Sequence, residues 1–351
     1  MLPEYLEVGQ SDHSYASELG RVPPPVAGRR VRGDARASPP VIDSVGFAFL
    51  ELEIVMFLGY SEVKNITILK NNCPYMSEEK KVNWQPTKAE YWHKLSAPAR
   101  PWSSEVDWFE KYTLDKKKEG KKDVLILGST VEFRSMLHKN EMNVHVADFS
   151  KEFYKILSET QEDRLEHTGE EEFYEANWLT MDLGKKFDLI FGDWVPGVLH
   201  TKEYDIFYKQ IEKHLKEDGL FIGRECLRPN RNILDMQEVL DNHYTNHADN
   251  YSLYESSLHF IYGYRMNDED MWGMKSAIDA IEEANDKGCF KDEEDYVEIR
   301  DALSIEQEAS ASIMVKEDFE NKAQEHLDII AEHHVEEPSS QWFPIYVMKK
   351  K

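Results

Sequence analysis

Short apolar runs recur through the middle of the chain, each closed by a glycine or an acid and followed by a stretch with helical spacing. Val124-Leu125-Ile126-Leu127 carries no polar residue and is closed by Gly128, the pattern of a strand buried on both faces. Val131, Phe133, Met136 and Leu137 then recur at roughly helical spacing, and Val144, His145, Val146 and Ala147 form a second run that stops at Asp148. A helix is expected over Lys151 to Leu165, with the acidic string Glu166 to Glu172 as its solvated end. Phe173 to Ala176, Phe187 to Phe191 and Leu220 to Ile222 read as third, fourth and fifth strands. The last of these follows a helix from Tyr204 to Leu215 that is closed by Asp218-Gly219. Strands alternating with helices predict an α/β fold, a Rossmann-like doubly wound and mostly parallel sheet with helices on both faces. Right-handed crossovers in such a sheet put ligands at the carboxyl ends of the strands.

The flanking segments have different patterns. Residues 1 to 40 include RVPPPVAGRRVRGDARASPP, with no apolar periodicity and no lysine, and are expected to be a disordered leader. In 41–115, an N-terminal segment expected to pack on the core, FAFLELEIVMFL and VKNITIL are separated by Gly59 to Glu62. This reads as a hairpin, although the first run fits a helix equally. Ser103-Ser104-Glu105 offers an N-cap before an amphipathic helix bearing Val106, Phe109 and Tyr112, which either docks on the sheet edge or serves as a lid. Lys116 to Lys122 reads as a solvated linker that opens a core expected to span 116–228. From 229 to 351 the expectation is an acidic helical cap with a C-terminal strand at Trp342 to Met348, while Leu258 to Arg265 fits a strand or a helix.

Charge narrows the function classes. With 67 acidic against 42 basic residues and a formal net charge of -25, phosphate backbones are repelled and nucleic acid is not expected as a partner. Cys73, Cys226 and Cys289 form no CxxC pair and have no histidine at ligand spacing, so neither disulfides nor a metal are expected. The most apolar stretch, Val45 to Tyr60, contains Glu51 and Glu53 and is shorter than the roughly 20 residues that cross a bilayer. No signal-like segment precedes it, so a cytoplasmic location without membrane association is expected.

The candidate chemistry lies in the first strand-turn-helix-strand unit. A glycine after the first strand lets the backbone approach a ligand, and an acid about 20 positions on can accept hydrogen bonds from both ribose hydroxyls. Gly128 and Asp148 have that spacing, and Asp148 is expected to face an open crevice. Ser129, Thr130 and Glu132 stand where a dinucleotide site would have further glycines. Glu132 and Asp148 would repel phosphate, so a nucleoside carrying a cationic group suits the site better than NAD. An NAD-dependent oxidoreductase fits Asp148 but not the loop.

These residues give the chain, from about Tyr91 to Arg228, a resemblance to class I S-adenosylmethionine-dependent methyltransferases. More narrowly it resembles a subgroup whose first strand is followed by a leucine-glycine-x-threonine-proline-glutamate-x-arginine-like motif, here Leu127-Gly128-Ser129-Thr130-Val131-Glu132-Phe133-Arg134 without the proline. The subgroup's upstream tryptophan and proline-x-arginine-proline element are matched by Trp92 and by Pro98-Ala99-Arg100-Pro101. The resemblance implies S-adenosyl-L-methionine as cofactor. Gly128, Ser129 and Thr130 would pass beneath its methionine part, Asp148 would bind its ribose with Phe149 alongside, and Asn177 and Trp178 would lie beside its adenine. Asp193 and Trp194 would line the methyl-transfer side, and Trp92, Arg100, Glu132 and Arg134 would complete the cofactor site. Arg134 is expected to pair with Glu132 or with the ligand carboxylate.

Methyl transfer from a sulfonium needs mainly alignment and desolvation. Asp193, His200 and Tyr204, all at or after the end of the fourth strand, are candidate bases. A small molecule or a protein is the expected acceptor. The competing reading is a non-enzymatic nucleoside-binding or protein-interaction module on the same sheet.

Overall fold

The computed structural model describes residues 89, 92–160, 170–231, 235–263, 272–273, 275–305 and 310–351. The expected leader and the hairpin before position 69 lie outside the described residues. Among the described residues the first α-helix with a defined range, α1 (Ser103–Lys118), begins where Glu105 accepts from the Trp102 backbone N–H at 2.8 Å. Then come β1 (Asp123–Leu127), α2 (Val131–Lys139), β2 (Asn143–Asp148), α3 (Lys151–Thr160), β3 (Glu171–Glu175), β4 (Phe187–Asp193), α4 (Tyr204–His214) and β5 (Leu215–Arg224). A helical lobe holds α5 (Met236–Asn246), α6 (Leu253–Gly263), β6 (Trp272–Gly273), α7 (Lys275–Asp286), α8 (Glu293–Ile305) and β7 (Ser310–Ala311). The described chain closes with α9 (Lys316–Ala323), β8 (Leu327–His333) and β9 (Ile345–Lys350).

The sheet has seven strands in the order β3-β2-β1-β4-β5-β9-β8. The first five are mutually parallel, whereas β9 runs antiparallel to both β5 and β8. Alternation along the strands divides the core in two. Leu125, Leu127, Ile190 and Phe221 face α4 and α9 through Phe207, Tyr208, Ile211 and Phe319. Val124, Ile126, Leu189, Phe191 and Ile222 face α1 and α2. There Phe109 lies 4.2 Å from Phe133 and 5.1 Å from Phe191, ring centre to ring centre. Helix α1 is therefore a packing helix. Asp188 can sit in the apolar β4 because its Oδ2 accepts from the Asp123 N–H at 3.0 Å and from Lys216 Nζ at 2.9 Å. The lobe has its own apolar centre, including Leu240, Leu258, Ile281, Ile299, Trp342 and Phe343.

Several boundaries differ from expectation for physical reasons. The expected linker at 116–122 is partly helix, and Lys116 is buried because its Nζ donates to the Asp218 carbonyl at 2.7 Å. β5 starts at Leu215, which already pairs with Phe187 of β4; the polar Lys216 to Gly219 stretch is the irregularity before pairing resumes at Leu220 opposite Leu189. The ambiguous run from Leu258 is helical up to Gly263. The sheet also draws β8 from the segment expected to be helical cap, so the core does not end at 228. β8 is an edge strand in which only Leu327 is buried, and such a strand leaves almost no apolar signature. β9 begins at Ile345, since Trp342 belongs to a short 3₁₀ turn (Ser340–Trp342) that plugs into the lobe.

Candidate active site

The carboxyl ends of β1, β2, β4 and β5 lie side by side, and the charged residues of the site follow directly from the strands. Gly128 leaves β1 at φ +88°, a conformation open to glycine at little cost, and its N–H donates to the Ala147 carbonyl at 2.9 Å. Ser129 follows, and Thr130 occupies the N-cap position of α2. Across the gap, Asp148 at the end of β2 accepts from the Ser129 hydroxyl on Oδ2 and from the Phe149 N–H on Oδ1 at 2.6 Å. These two bonds fix the carboxylate plane. Asp148 is 1% exposed, so the expected open crevice is instead a closed end of the strand pair. Trp178 helps to close it: its indole N–H donates to the Ala147 carbonyl at 2.8 Å, and its ring would lie 3.9 Å from a Cβ at position 128. Asn177 shapes the turn, its Oδ1 accepting from the Leu179 N–H at 2.9 Å.

The two sequence elements singled out upstream and downstream of α1 meet. Arg100 donates through Nε to Glu132 Oε1 at 2.7 Å, and its Nη2 lies 2.5 Å from the same oxygen. Arg134 goes elsewhere. Its guanidinium lies 2.9 Å from Glu171 on β3, donates to Ser158 at 2.8 Å and covers the Tyr154 ring. Burial pushes the Glu171 carboxyl up, yet His138, Arg134 and Tyr154 together hold it down at about 2. The expected pairing of Arg134 with Glu132 or a ligand is thus replaced by a buried clamp between α2, α3 and β3. Trp92 packs edge-on against Phe153, ring centres 6.2 Å apart, in a cluster with Val131 and Leu157.

At the ends of β4 and β5 the structure joins Asp193, a candidate from the sequence, to Glu105 and Arg224, which the sequence alone did not mark as part of a site. Arg224, 1% exposed, donates to Glu105 Oε2 at 2.6 Å, to Asp193 Oδ1 at 3.0 Å and to the Pro98 carbonyl at 2.9 Å. Its guanidinium also stacks 4.1 Å from the centre of the Phe343 ring. Two carboxylates therefore share one buried arginine. Burial drives the Glu105 carboxyl up to about 7 against the pull of Arg224. The Asp193 carboxyl is likewise raised by burial, although Arg224 opposes it. The neighbouring Glu225 is raised too, by burial and by Asp193. The available signal was the placement of Arg224 and Glu225 right behind an apolar strand.

Trp194 takes φ +49°, costly for a bulky side chain, and its N–H donates to the Arg224 carbonyl at 2.6 Å. Its indole occupies the space beside Gly197, where an added Cβ would lie 2.0 Å from Nε1. The other two candidate bases have different duties. His200 caps a short turn in which its N–H donates to Glu203 at 2.9 Å. Tyr204 is 2% exposed with its hydroxyl 3.2 Å from that of Ser312, and burial raises its phenol well above the usual range. A phenol so held stays protonated and cannot serve as a base.

No protein-family model and no curated protein sequence matches the chain. Among solved structures it is similar to a protein from Rhodobacter sphaeroides described as a zinc-dependent alcohol dehydrogenase (TM-score 0.49, 14% identity, 79% of this chain over 100% of that one). It is also similar to an S-adenosylmethionine-dependent methyltransferase from Clostridium acetobutylicum (TM-score 0.44, 12% identity, 75% over 97%). A third is the magnesium protoporphyrin IX methyltransferase of Synechocystis with bound S-adenosylhomocysteine (TM-score 0.43, 10% identity, 77% over 98%). These likenesses concern the fold alone. Among the described residues no helix is long and apolar enough to cross a membrane.

Proposed function

We propose that the chain is an S-adenosylmethionine-dependent methyltransferase acting on a small molecule or a protein. The observation that carries this reading is the pairing of the Gly128 turn with the fixed carboxylate of Asp148 across adjacent parallel strands. The residues suit a nucleoside and not a pyrophosphate. The guanidinium groups of Arg100 and Arg134 are engaged by Glu132 and Glu171, while Asp148 supplies negative charge. In this reading Gly128, Ser129 and Thr130 hold the methionine part and Asp148 accepts from the ribose hydroxyls, with Trp178, Asn177 and Phe149 around the base.

Bound S-adenosylmethionine would supply an already activated methyl group. The protein's own contribution is then alignment and exclusion of water. Arg224 locks Asp193 in place, and Trp194, held by Gly197 and by the Arg224 carbonyl, fixes the wall beside it. Burial raises the Asp193 carboxyl, which favours proton uptake there, whereas burial keeps the Tyr204 phenol protonated. The test is incubation with methyl-labelled S-adenosylmethionine and a metabolite or protein extract. Extract-dependent release of S-adenosylhomocysteine supports an enzyme. Binding without any release would leave the non-enzymatic module.

A further inference from the structure

We propose that Asp205, Glu325 and His326 form a binding site for one zinc-class divalent cation, separate from the strand-end site. Asp205 lies in the first turn of α4, and Glu325 and His326 lie in the turn between α9 and β8. One ligand atom from each residue lies within 4.8 Å of the others. Spacing along the chain does not disclose the group, because Asp205 is far from the other two in sequence.

The geometry fits an ion better than a direct ion pair. His326 Nε2 and Asp205 Oδ1 are 3.5 Å apart, and both atoms are buried without a hydrogen-bond partner. A charge-assisted bond between imidazole and carboxylate would close to about 2.7–2.9 Å. Tetrahedral ligands bound at about 2.0–2.1 Å stand roughly 3.3 Å from one another, close to the separation seen. The imidazole is also pre-oriented. Its ring stacks on the fully buried Tyr208 with an interplanar angle of 21°. The turn that carries it is fixed by the Glu325 and His326 N–H groups, which donate to the Lys322 and Ala323 carbonyls at 3.2 and 3.1 Å.

One imidazole and two carboxylates select a first-row divalent ion such as Zn²⁺ or Co²⁺ over Ca²⁺ and Mg²⁺, which prefer an all-oxygen shell. Glu325 is exposed, so the fourth position is open to water and the ion exchanges from solvent. Bound there, the ion ties α4 to the turn that launches the edge strand β8.

The test uses the full chain after treatment with chelator, with Zn²⁺ titrated by calorimetry and Co²⁺ followed by its visible absorption. One equivalent should bind, Co²⁺ should give tetrahedral bands, and Zn²⁺ at about 100 times its Kd should raise Tm by roughly 4 °C. Glu325→Gln, a surface change that spares the fold, should weaken Zn²⁺ tenfold or more, and His326→Ala should abolish the Co²⁺ bands. Asp328→Asn, exposed on the neighbouring strand, should change neither. Absence of a saturable equivalent, or equal affinity in the parent, Glu325→Gln and His326→Ala, overturns the site.

Discussion

Glu105→Gln offers a quantitative probe of the buried cluster at the ends of β4 and β5. The Glu105 carboxyl is fully buried and raised from 4.5 to about 7, and each pKa unit is worth about 1.36 kcal/mol, so the site carries roughly 3 kcal/mol of pH-dependent stability. The sign follows from proton counting. Between pH 4.5 and about 7 the folded chain holds a proton on Glu105 that the unfolded chain has lost, so stability falls as pH rises through this window. The contribution is fully present below the unfolded value and gone above the folded one. Glutamine cannot titrate, so the unfolding free energy of wild type minus that of Glu105→Gln should decline by about 3 kcal/mol across the window. Taking the difference cancels the titrating groups that do not interact with Glu105, such as buried His259, whose pKa is lowered by burial to about 3; Asp193, which shares Arg224 with Glu105, is the coupled group that remains. In urea titrations followed by circular dichroism this is a shift of about 1 M in relative midpoint, for an m-value near 3 kcal/mol/M. A difference that is flat with pH, or that grows with pH, would show that Arg224 outweighs burial at Glu105 and would refute the reasoning.

Other outcomes follow from the same contacts. Arg134→Met breaks a buried clamp and should cost about 3–5 kcal/mol, lowering Tm while leaving the S-adenosylhomocysteine affinity of the folded protein within about twofold; lost affinity at unchanged Tm would return Arg134 to the ligand. Gly128→Ala places a Cβ at φ +88° and should cost about 1–2 kcal/mol in a thermal melt, whereas no change would mean that the turn adopts another conformation. Asp148→Asn should weaken S-adenosylhomocysteine about tenfold or more, the loss of one bond to a charged acceptor. Asp148→Ala should in addition lose about 1–3 kcal/mol of stability, because the Ser129 hydroxyl and the Phe149 N–H stay buried without their acceptor.

The sheet was legible because its central strands are buried on both faces and therefore read as continuous apolar runs, as in Val124 to Leu127. β8 was hidden for the opposite reason, since an edge strand with one buried residue has no pattern to read. The placement of Gly128 and Asp148 at the ends of adjacent strands was legible from spacing, and the Arg100–Glu132 pair shows that the two flagged elements meet in space. Arg134 was misplaced because a one-dimensional reading shows its neighbour Glu132 but not Glu171, which the parallel pairing of β3 with β2 brings beside α2. Glu105, Pro98, Asp193 and Arg224 come from three separate stretches, and only the folded chain gathers them on one guanidinium.

The most direct test is calorimetric titration of the full chain with S-adenosylhomocysteine and, separately, with NAD. The nucleoside should bind at one equivalent and more tightly than NAD, because the Gly128 turn and the acids near it accept a ribose but repel a pyrophosphate. Tighter binding of NAD, or no binding of the nucleoside, would contradict the account.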